Sequence, residues 1–347
     1  MTLRVRPVDL EEDREELIGV LERNLTAVAH RVRFDWFYRR NPAGRAWSWI
    51  VYDTSGGRSV GAASVFPREV WLDGRVRRCG QVGDFAIDAG YRSLGPAVML
   101  QRATLSPVDD GTLAFCYDCP PHAAGMAPLR RLGLEPNARM LRYVRPVRVN
   151  RYVRRLMGGS LLARPLAWIG NRMLGVITSR SRPEAGLEVA LHSARFGEEF
   201  TRLDAAAGSR GLIRGRRTAD ILNWRYRDDP LREYIALTVR GGGELMAYLI
   251  VQCAGEDAYV VDVSGGCDRE VVRVLFEAAV DVTRQRRMEA LYAMISDQAG
   301  LGPTMNRAWM RYRSPGAYIV AAAKRSSVDE AAVASVRWGF LHSDVLA

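Results

Sequence analysis

The sequence predicts an α+β protein built of two related units in tandem, and three observations carry that expectation. Strand-like and helix-like stretches follow one definite order over roughly the first 150 residues. An aromatic octapeptide recurs far down the chain. A strand-like run ends in a glycine-bearing turn that opens directly into a helix-like run. Length and composition agree: 347 residues, 48% hydrophobic, suffice for two modest cores and exclude a disordered chain.

The first unit reads element by element. Residues 1–6 have a strand-like pattern, and 10–24 carry Leu17, Val20 and Leu21 at helical spacing. Residues 47–52, 60–66 and 69–72 alternate and are rich in β-branched and aromatic side chains, so they read as strands. Gly56-Gly57 marks one turn and Asp73-Gly74 a tight hairpin. Residues 75–81 lead into a strand ending near Asp88, and 98–103 read as a helix. A short buried strand at 112–117 is broken by Pro120-Pro121. A helix at 123–132 ends at Gly133, and a last strand at 140–144 is stopped by Pro146.

The second unit begins with the repeat. Asp35-Trp36-Phe37-Tyr38-Arg39-Arg40-Asn41-Pro42 matches Asn223-Trp224-Arg225-Tyr226-Arg227-Asp228-Asp229-Pro230, with Trp, Tyr, Arg and Pro at one constant offset of 188. Strand patterns at 235–239, 245–253 and 258–264 follow, interrupted by Gly241-Gly242-Gly243, and then a helix at 271–284. Two copies this far apart mean two related domains rather than a solenoid. The expected division is 1–149, a connector at 150–185, and 186–347. Recurrence of Trp36, Tyr38 and Arg39 as Trp224, Tyr226 and Arg227 favours a helix-end anchor over a lining for an acceptor pocket. The connector carries Leu161, Leu162, Leu166, Ile169 and Leu174 at near-helical spacing. It is expected to bury that apolar face on its own protein. Its arginines (151, 154, 155, 164 and 172) and Trp168 also suit a membrane-surface helix.

Charge narrows the partners. The net charge of +11 invites a nucleic-acid reading, but Lys324 is the only lysine, and an arginine bias of this kind suggests a GC-rich coding sequence. No long Arg block, base-stacking motif or zinc-finger spacing is present, so nucleic acid is not expected. No segment is long and apolar enough to span a membrane. The start shows no signal-peptide pattern, and a cytoplasmic protein is expected. Cys79, Cys116, Cys119, Cys253 and Cys267 suit a reducing compartment. Cys116-Tyr117-Asp118-Cys119, with His122 nearby, allows zinc, a redox pair or ordinary thiols. Zinc lacks a second ligand pair, and a redox pair would sit at a strand end rather than a helix start. Ordinary thiols and no metal are therefore expected.

Gly83 to Ala97 forms an anion cradle in the making. Orphan N–H groups and the positive end of a helix would face a phosphate, with Gly95 admitting it close to the backbone. The spacing is neither Gly-x-Gly-x-x-Gly nor a Walker loop. Arg92, Gly95 and Ala97 fill the Gln/Arg-x-x-Gly-x-Gly/Ala pattern, and here the chain resembles the GCN5-related N-acetyltransferase superfamily. Leu129-Arg130-Arg131-Leu132-Gly133-Leu134 is similar to that family's closing Tyr-x-x-Leu-Gly-Phe, with Leu129 standing where the family often has its acid Tyr. The resemblance implies that each unit is a mixed, mostly antiparallel twisted sheet flanked by helices. It implies that Tyr91, Arg92, Ser93, Leu94, Gly95, Pro96 and Ala97 hold the pyrophosphate of acetyl-coenzyme A. The backbone of Phe85, Ala86 and Ile87 would hold the thioester carbonyl. The second unit has Gly265-Gly266-Cys267-Asp268-Arg269-Glu270 in place of that loop. Its Asp268 and Glu270 would repel a pyrophosphate, so only the first unit is expected to bind coenzyme A.

The chemistry needs a base for an amine and a donor for the thiolate. Asp84 and Asp88 share a strand face with Ala86, and Asp84 is the better base. Tyr117 and Asp118, ending the next strand, would approach from the other side, with Tyr117 a candidate proton donor. The expected function is an acetyl-coenzyme-A-dependent N-acyltransferase. It would move an acyl group to the amine of a small molecule or amino sugar, by direct attack in a ternary complex. Two other readings stay open: a non-catalytic tandem protein that binds acyl-coenzyme A or a partner, and an aminoacyl-tRNA-dependent transferase. A homodimer is compatible with each.

Overall fold

The computed structural model describes every residue except 1, 159, 161, 178–185, 208–210, 266–268, 309, 326 and 346–347. Its strands are β1 (Leu3–Pro7), β2 (Trp47–Asp53), β3 (Arg58–Leu72), β4 (Arg75–Ile87), β5 (Phe115–Asp118), β6 (Ala138–Pro146), β7 (Leu187–His192), β8 (Leu212–Gly215), β9 (Tyr234–Gly241), β10 (Glu244–Ala254), β11 (Asp257–Gly265), β12 (Ala290–Ser296), β13 (Arg311–Ala323) and β14 (Arg337–Trp338). They join in one sheet whose main path runs β1-β2-β3-β4-β5-β13-β6-β12-β11-β10-β9-β7. Neighbours on this path are antiparallel except β4–β5 and β11–β12, which are parallel. The protein is thus α+β with a mixed, mostly antiparallel sheet.

The order reads the same from both ends. β1 to β5 run inward from one edge, and β7 and β9 to β12 run inward from the other. The last strand of each series crosses into the other's territory: β13 pairs β5, and β6 pairs β12. The strand expected at 140–144 therefore does not close its own unit. The exchange gives each inner strand a partner from the other series.

Helices cover both faces of the first series. The Arg14–Asn24 helix buries Leu17, Ile18, Val20 and Leu21 against Ile50, Ala62, Phe66 and Ala86. The Leu94–Ala103 helix buries Leu100 on the opposite face, against Val65, Val82 and Cys116. The Arg269–Gln285 helix does the same for β9 to β12 through Val271, Leu275 and Ala279. The strands expected separately at 60–66 and 69–72 are one strand, β3. Pro67 is tolerated inside it because β2 stops pairing at Val65, so no strand on that side needs the missing N–H. The Asp73-Gly74 hairpin is as expected, with φ of 48° and 71°.

The repeated tryptophans meet at the centre. Trp36 Nε1 donates to the carbonyl of Trp224 at 2.7 Å, and Trp224 Nε1 donates to the carbonyl of Trp36 at 3.0 Å. Their rings lie 5.2 Å apart, and Phe37 stacks on Trp224. Such a reciprocal exchange is what two copies of one motif make around a two-fold axis.

The connector departs from expectation. It forms two helices, Asn150–Met157 and Ala163–Ile177. Leu162, Leu166 and Ile169 were expected to face inward, yet they are exposed, together with Trp168. Leu174 is half-buried, and Leu161 lies outside the described residues. The inward side carries small residues instead, which leaves the larger ones in solvent.

Replacing Trp224 with Ala removes a buried ring and leaves the carbonyl of Trp36 without its donor. Chemical unfolding should show a loss of about 3–5 kcal/mol. A loss below about 1 kcal/mol would mean the pair is peripheral.

Candidate active site

The site begins where β4 and β5 part. Only Gly80–Cys116 and Gln81–Tyr117 pair, after which β5 ends at Asp118 while β4 continues to Ile87. Two parallel strands that separate leave a wedge between them. A bulge helps to open it. The β3–β4 register shifts between Ala62 (opposite Ala86) and Ser64 (opposite Gly83), so Asp84 and Phe85 together face Ala63. Asp84 takes a φ of 47°, a region that Asp tolerates better than most side chains. A bulge bends its strand and increases the local twist. Beyond it, Phe85 and Ile87 face the Leu94–Ala103 helix while Ala86 faces the Arg14–Asn24 helix.

The cradle follows directly. Asp88 accepts from Asn24 Nδ2 at 2.6 Å and Arg23 at 3.2 Å, tying the strand exit to the first helix. Ala89–Tyr91 form a single tight turn. Tyr91 donates to Asp53 at 2.8 Å and lies under the Arg58 guanidinium. Arg92 Nε folds back onto the carbonyl of Ile87 at 3.1 Å. Ser93 is extended at the N-cap, and its hydroxyl makes no cap bond. Arg92, Ser93, Leu94 and Gly95 are all exposed, whereas Pro96 is buried and Ala97 half-buried. A Cβ at Gly95 would meet no heavy atom within 4 Å. The first-turn N–H groups, which have no intrahelical partner, thus open on solvent at the positive end of a ten-residue helix.

Asp84 is buried, and protein donors occupy both its oxygens. Arg33 bonds Oδ1 and also Oδ2 (2.5 Å), and Tyr38 donates to Oδ2 at 2.5 Å. A carboxylate closed in this way is not placed to take a substrate's proton. Arg33 supplies the charge that makes its burial tolerable.

Tyr117 and Asp118 point to opposite sides of the sheet. Tyr117 packs on Trp338 and Phe340 and donates to the carbonyl of Asp344 at 2.8 Å. Burial pushes its phenol well above the usual range. It lines a narrow cavity at the junction of the two series, with Arg68, Trp224, Arg225 and Asp344. Burial, then neighbouring Arg225, holds Arg68 down to about 10. Asp118 is half-buried on the other side, at the tip of β5, where Gln101 of the Leu94–Ala103 helix bonds it. Burial raises its pKa to about 7, against the pull of the Cys119 N–H and Gln101.

Other candidates fall away on geometry. Burial pushes the thiols of Cys79, Cys116 and Cys119 up, away from the nucleophilic thiolate. Among the described residues, no group of three or more His, Cys, Asp or Glu could hold a metal. Leu129 lies in an apolar cluster with Met126 and Val320. Of Gly265-Gly266-Cys267-Asp268-Arg269-Glu270, residues 266–268 lie outside the described set.

Three functional neighbours had escaped the sequence reading: Arg33, Gln101 and Asp262. Asp262 on β11 accepts from Arg217 at 2.7 Å, Tyr226 at 3.2 Å and Tyr248 at 3.3 Å. It repeats the Asp84 arrangement, with Tyr226 in the place of Tyr38. The constant offset between those tyrosines was the available signal, since each had to bond something equivalent.

No protein-family profile and no curated protein matches this sequence. Solved structures match its fold. A probable N-acyltransferase from Enterococcus faecalis superposes on 93% of this chain and 72% of its own, with a TM-score of 0.64 and 13% identity. A GCN5-related N-acetyltransferase from Anabaena variabilis covers 92% and 72%, with a TM-score of 0.63 and 13% identity. Saccharomyces cerevisiae N-myristoyltransferase with bound myristoyl-CoA covers 92% and 82%, with a TM-score of 0.59 and 10% identity. The fold is that of the GCN5-related N-acetyltransferases.

Arg33→Met would leave Asp84 buried without its counter-charge. Unfolding should show a loss of about 3–5 kcal/mol. A smaller loss for the single change than for Arg33→Met with Asp84→Leu would contradict the pairing.

Proposed function

We propose that the protein is an acyl-coenzyme-A-dependent N-acyltransferase acting on the amine of a small molecule or amino sugar. The carrying observation is the wedge between β4 and β5 that leads straight into the solvent-exposed start of the Leu94–Ala103 helix. Backbone from Tyr91 to Ala97 would hold the diphosphate. Phe85, Ala86 and Ile87 would hold the pantetheine arm and polarise the carbonyl. The fold's likeness to acyltransferases, one of them with bound myristoyl-CoA, supports the reading. We read the chain as a tandem duplication in which only the first copy takes the cofactor.

Asp118 is the acid–base group in this reading, and Asp84 positions the bulge. Acyl transfer from sulfur to nitrogen moves one proton from the amine to the departing thiolate. A single carboxyl near pKa 7 can do both: it takes the proton from nitrogen as the C–N bond forms and returns it as the C–S bond breaks. Tyr117, held protonated with its hydroxyl bonded to the Asp344 carbonyl on the other side of the sheet, takes no proton in this reading.

Leu129 favours a second reading, binding without turnover. Calorimetry with acetyl-coenzyme A separates the two from the outset. Wild type should release heat, and Gly95→Glu should weaken binding at least about tenfold with the melting temperature unchanged. No heat from the wild type would end both readings, and binding without turnover across an amine panel would leave the second.

Asp118 has its own signature. The rate should rise with pH and level off above about 7. Asp118→Asn should lower kcat/KM by roughly 10²–10⁴ and erase that limb. The folded carboxyl holds a proton that the unfolded chain has already released. Asp118 therefore costs stability progressively as pH rises from the ordinary carboxylate range through about 7. Asp118→Asn should accordingly raise the melting temperature at pH values above that window, and an unchanged rate profile would remove Asp118 from the mechanism.

A further inference from the structure

The two connector helices pack with their small side inward. The Asn171 side chain accepts from the Val149 N–H at 2.8 Å and donates to Asn150 Oδ1 at 2.9 Å. Gly170 lies so near Val149 that a Cβ would stand 2.6 Å from Val149 Cγ2. Ala163, Ala167 and Leu174 are half-buried on this same side. Outward stand Leu162, Leu166, Trp168 (64% exposed), Ile169 and Met173, joined by Leu156 at 85% on the neighbouring helix. A helix that only needed to rest on its own protein would carry these the other way round. A contiguous apolar surface of this kind marks an interaction site.

Charge identifies the occupant. No Asp or Glu occurs anywhere from residue 136 to 183. Arg151 and Arg154 bond Asp257 and Glu256, fastening the first helix to the start of β11. Arg155, Arg164 and Arg172 are exposed on the same two helices as the apolar patch, with Arg172 lying against the Trp168 ring. A second copy of the chain docking through this face would set arginines against their own counterparts. An anionic lipid surface instead accepts both features, apolar side chains at the acyl boundary and guanidinium groups at the headgroups.

We propose that the outer face of the Ala163–Ile177 helix, with the end of the Asn150–Met157 helix, binds the protein peripherally to anionic lipid surfaces. The full chain is sedimented with vesicles of phosphatidylglycerol mixed with phosphatidylcholine, and with phosphatidylcholine alone. It should pellet with the first only and be released as salt rises. Trp168→Asp combined with Ile169→Asp should abolish pelleting, while the melting temperature and acetyl-coenzyme A binding stay as in the wild type. Absence of pelleting with either vesicle, equal pelleting with both, or an unaffected double variant would overturn the proposal. So would light scattering that shows a wild-type dimer and a monomeric double variant, since a second copy would then cover the face.

Discussion

A parallel pair of strands inside an otherwise antiparallel neighbourhood fixes the rest of the first half. Antiparallel strands can be joined by a tight turn, as β3 and β4 are, but a parallel neighbour needs a crossover. The crossover from β4 to β5 holds the tight turn, the exposed loop and the Leu94–Ala103 helix. Its beginning lies at the carboxyl end of β4, the same end at which β5 falls away. Loop amides, helix dipole and wedge therefore arrive at one place as a consequence of strand direction. Burial of Asp118 at the tip of β5 belongs to the same geometry, because the helix that supplies the dipole also supplies Gln101.

The second half repeats this plan with different contents. β11 and β12 are again parallel, and Asp262 again gathers an arginine and the tyrosine of the repeat. The recurrent parts are the ones that hold the sheet together: the tryptophans that exchange hydrogen bonds and the carboxylates that accept from Tyr38 and Tyr226. The exposed Arg92-Ser93-Leu94-Gly95 run has no counterpart in the sequence of the second half.

Local features were legible in the sequence because they depend on neighbours along the chain. The hairpin at Asp73-Gly74, the strand–loop–helix order and the repeat itself are of this kind. Long-range features were not. Asp84 looked like a free base because its partner, Arg33, lies 51 residues away and had no pattern of its own. The strands expected separately at 60–66 and 69–72 are continuous through Pro67 because β2 pairs no further than Val65, which only the assembled sheet shows. The connector's spacing showed that it had an apolar side but not which way that side faced, since direction is decided by Val149 and Asn150 meeting Gly170 and Asn171. Asp118 could be picked from its place at a strand end, whereas its proton affinity comes from burial that only the folded sheet creates.

The exchange of β6 and β13 has a consequence for how the molecule is made. Phe115–Asp118 receives its second partner from residues 320–323, synthesised some two hundred positions later. On a ribosome, the amino-terminal part must wait with one ladder bare until almost the whole polypeptide has emerged. The wedge beside β5 is therefore completed last, and a nascent chain interrupted before β13 carries it unfinished whatever its sequence up to that point.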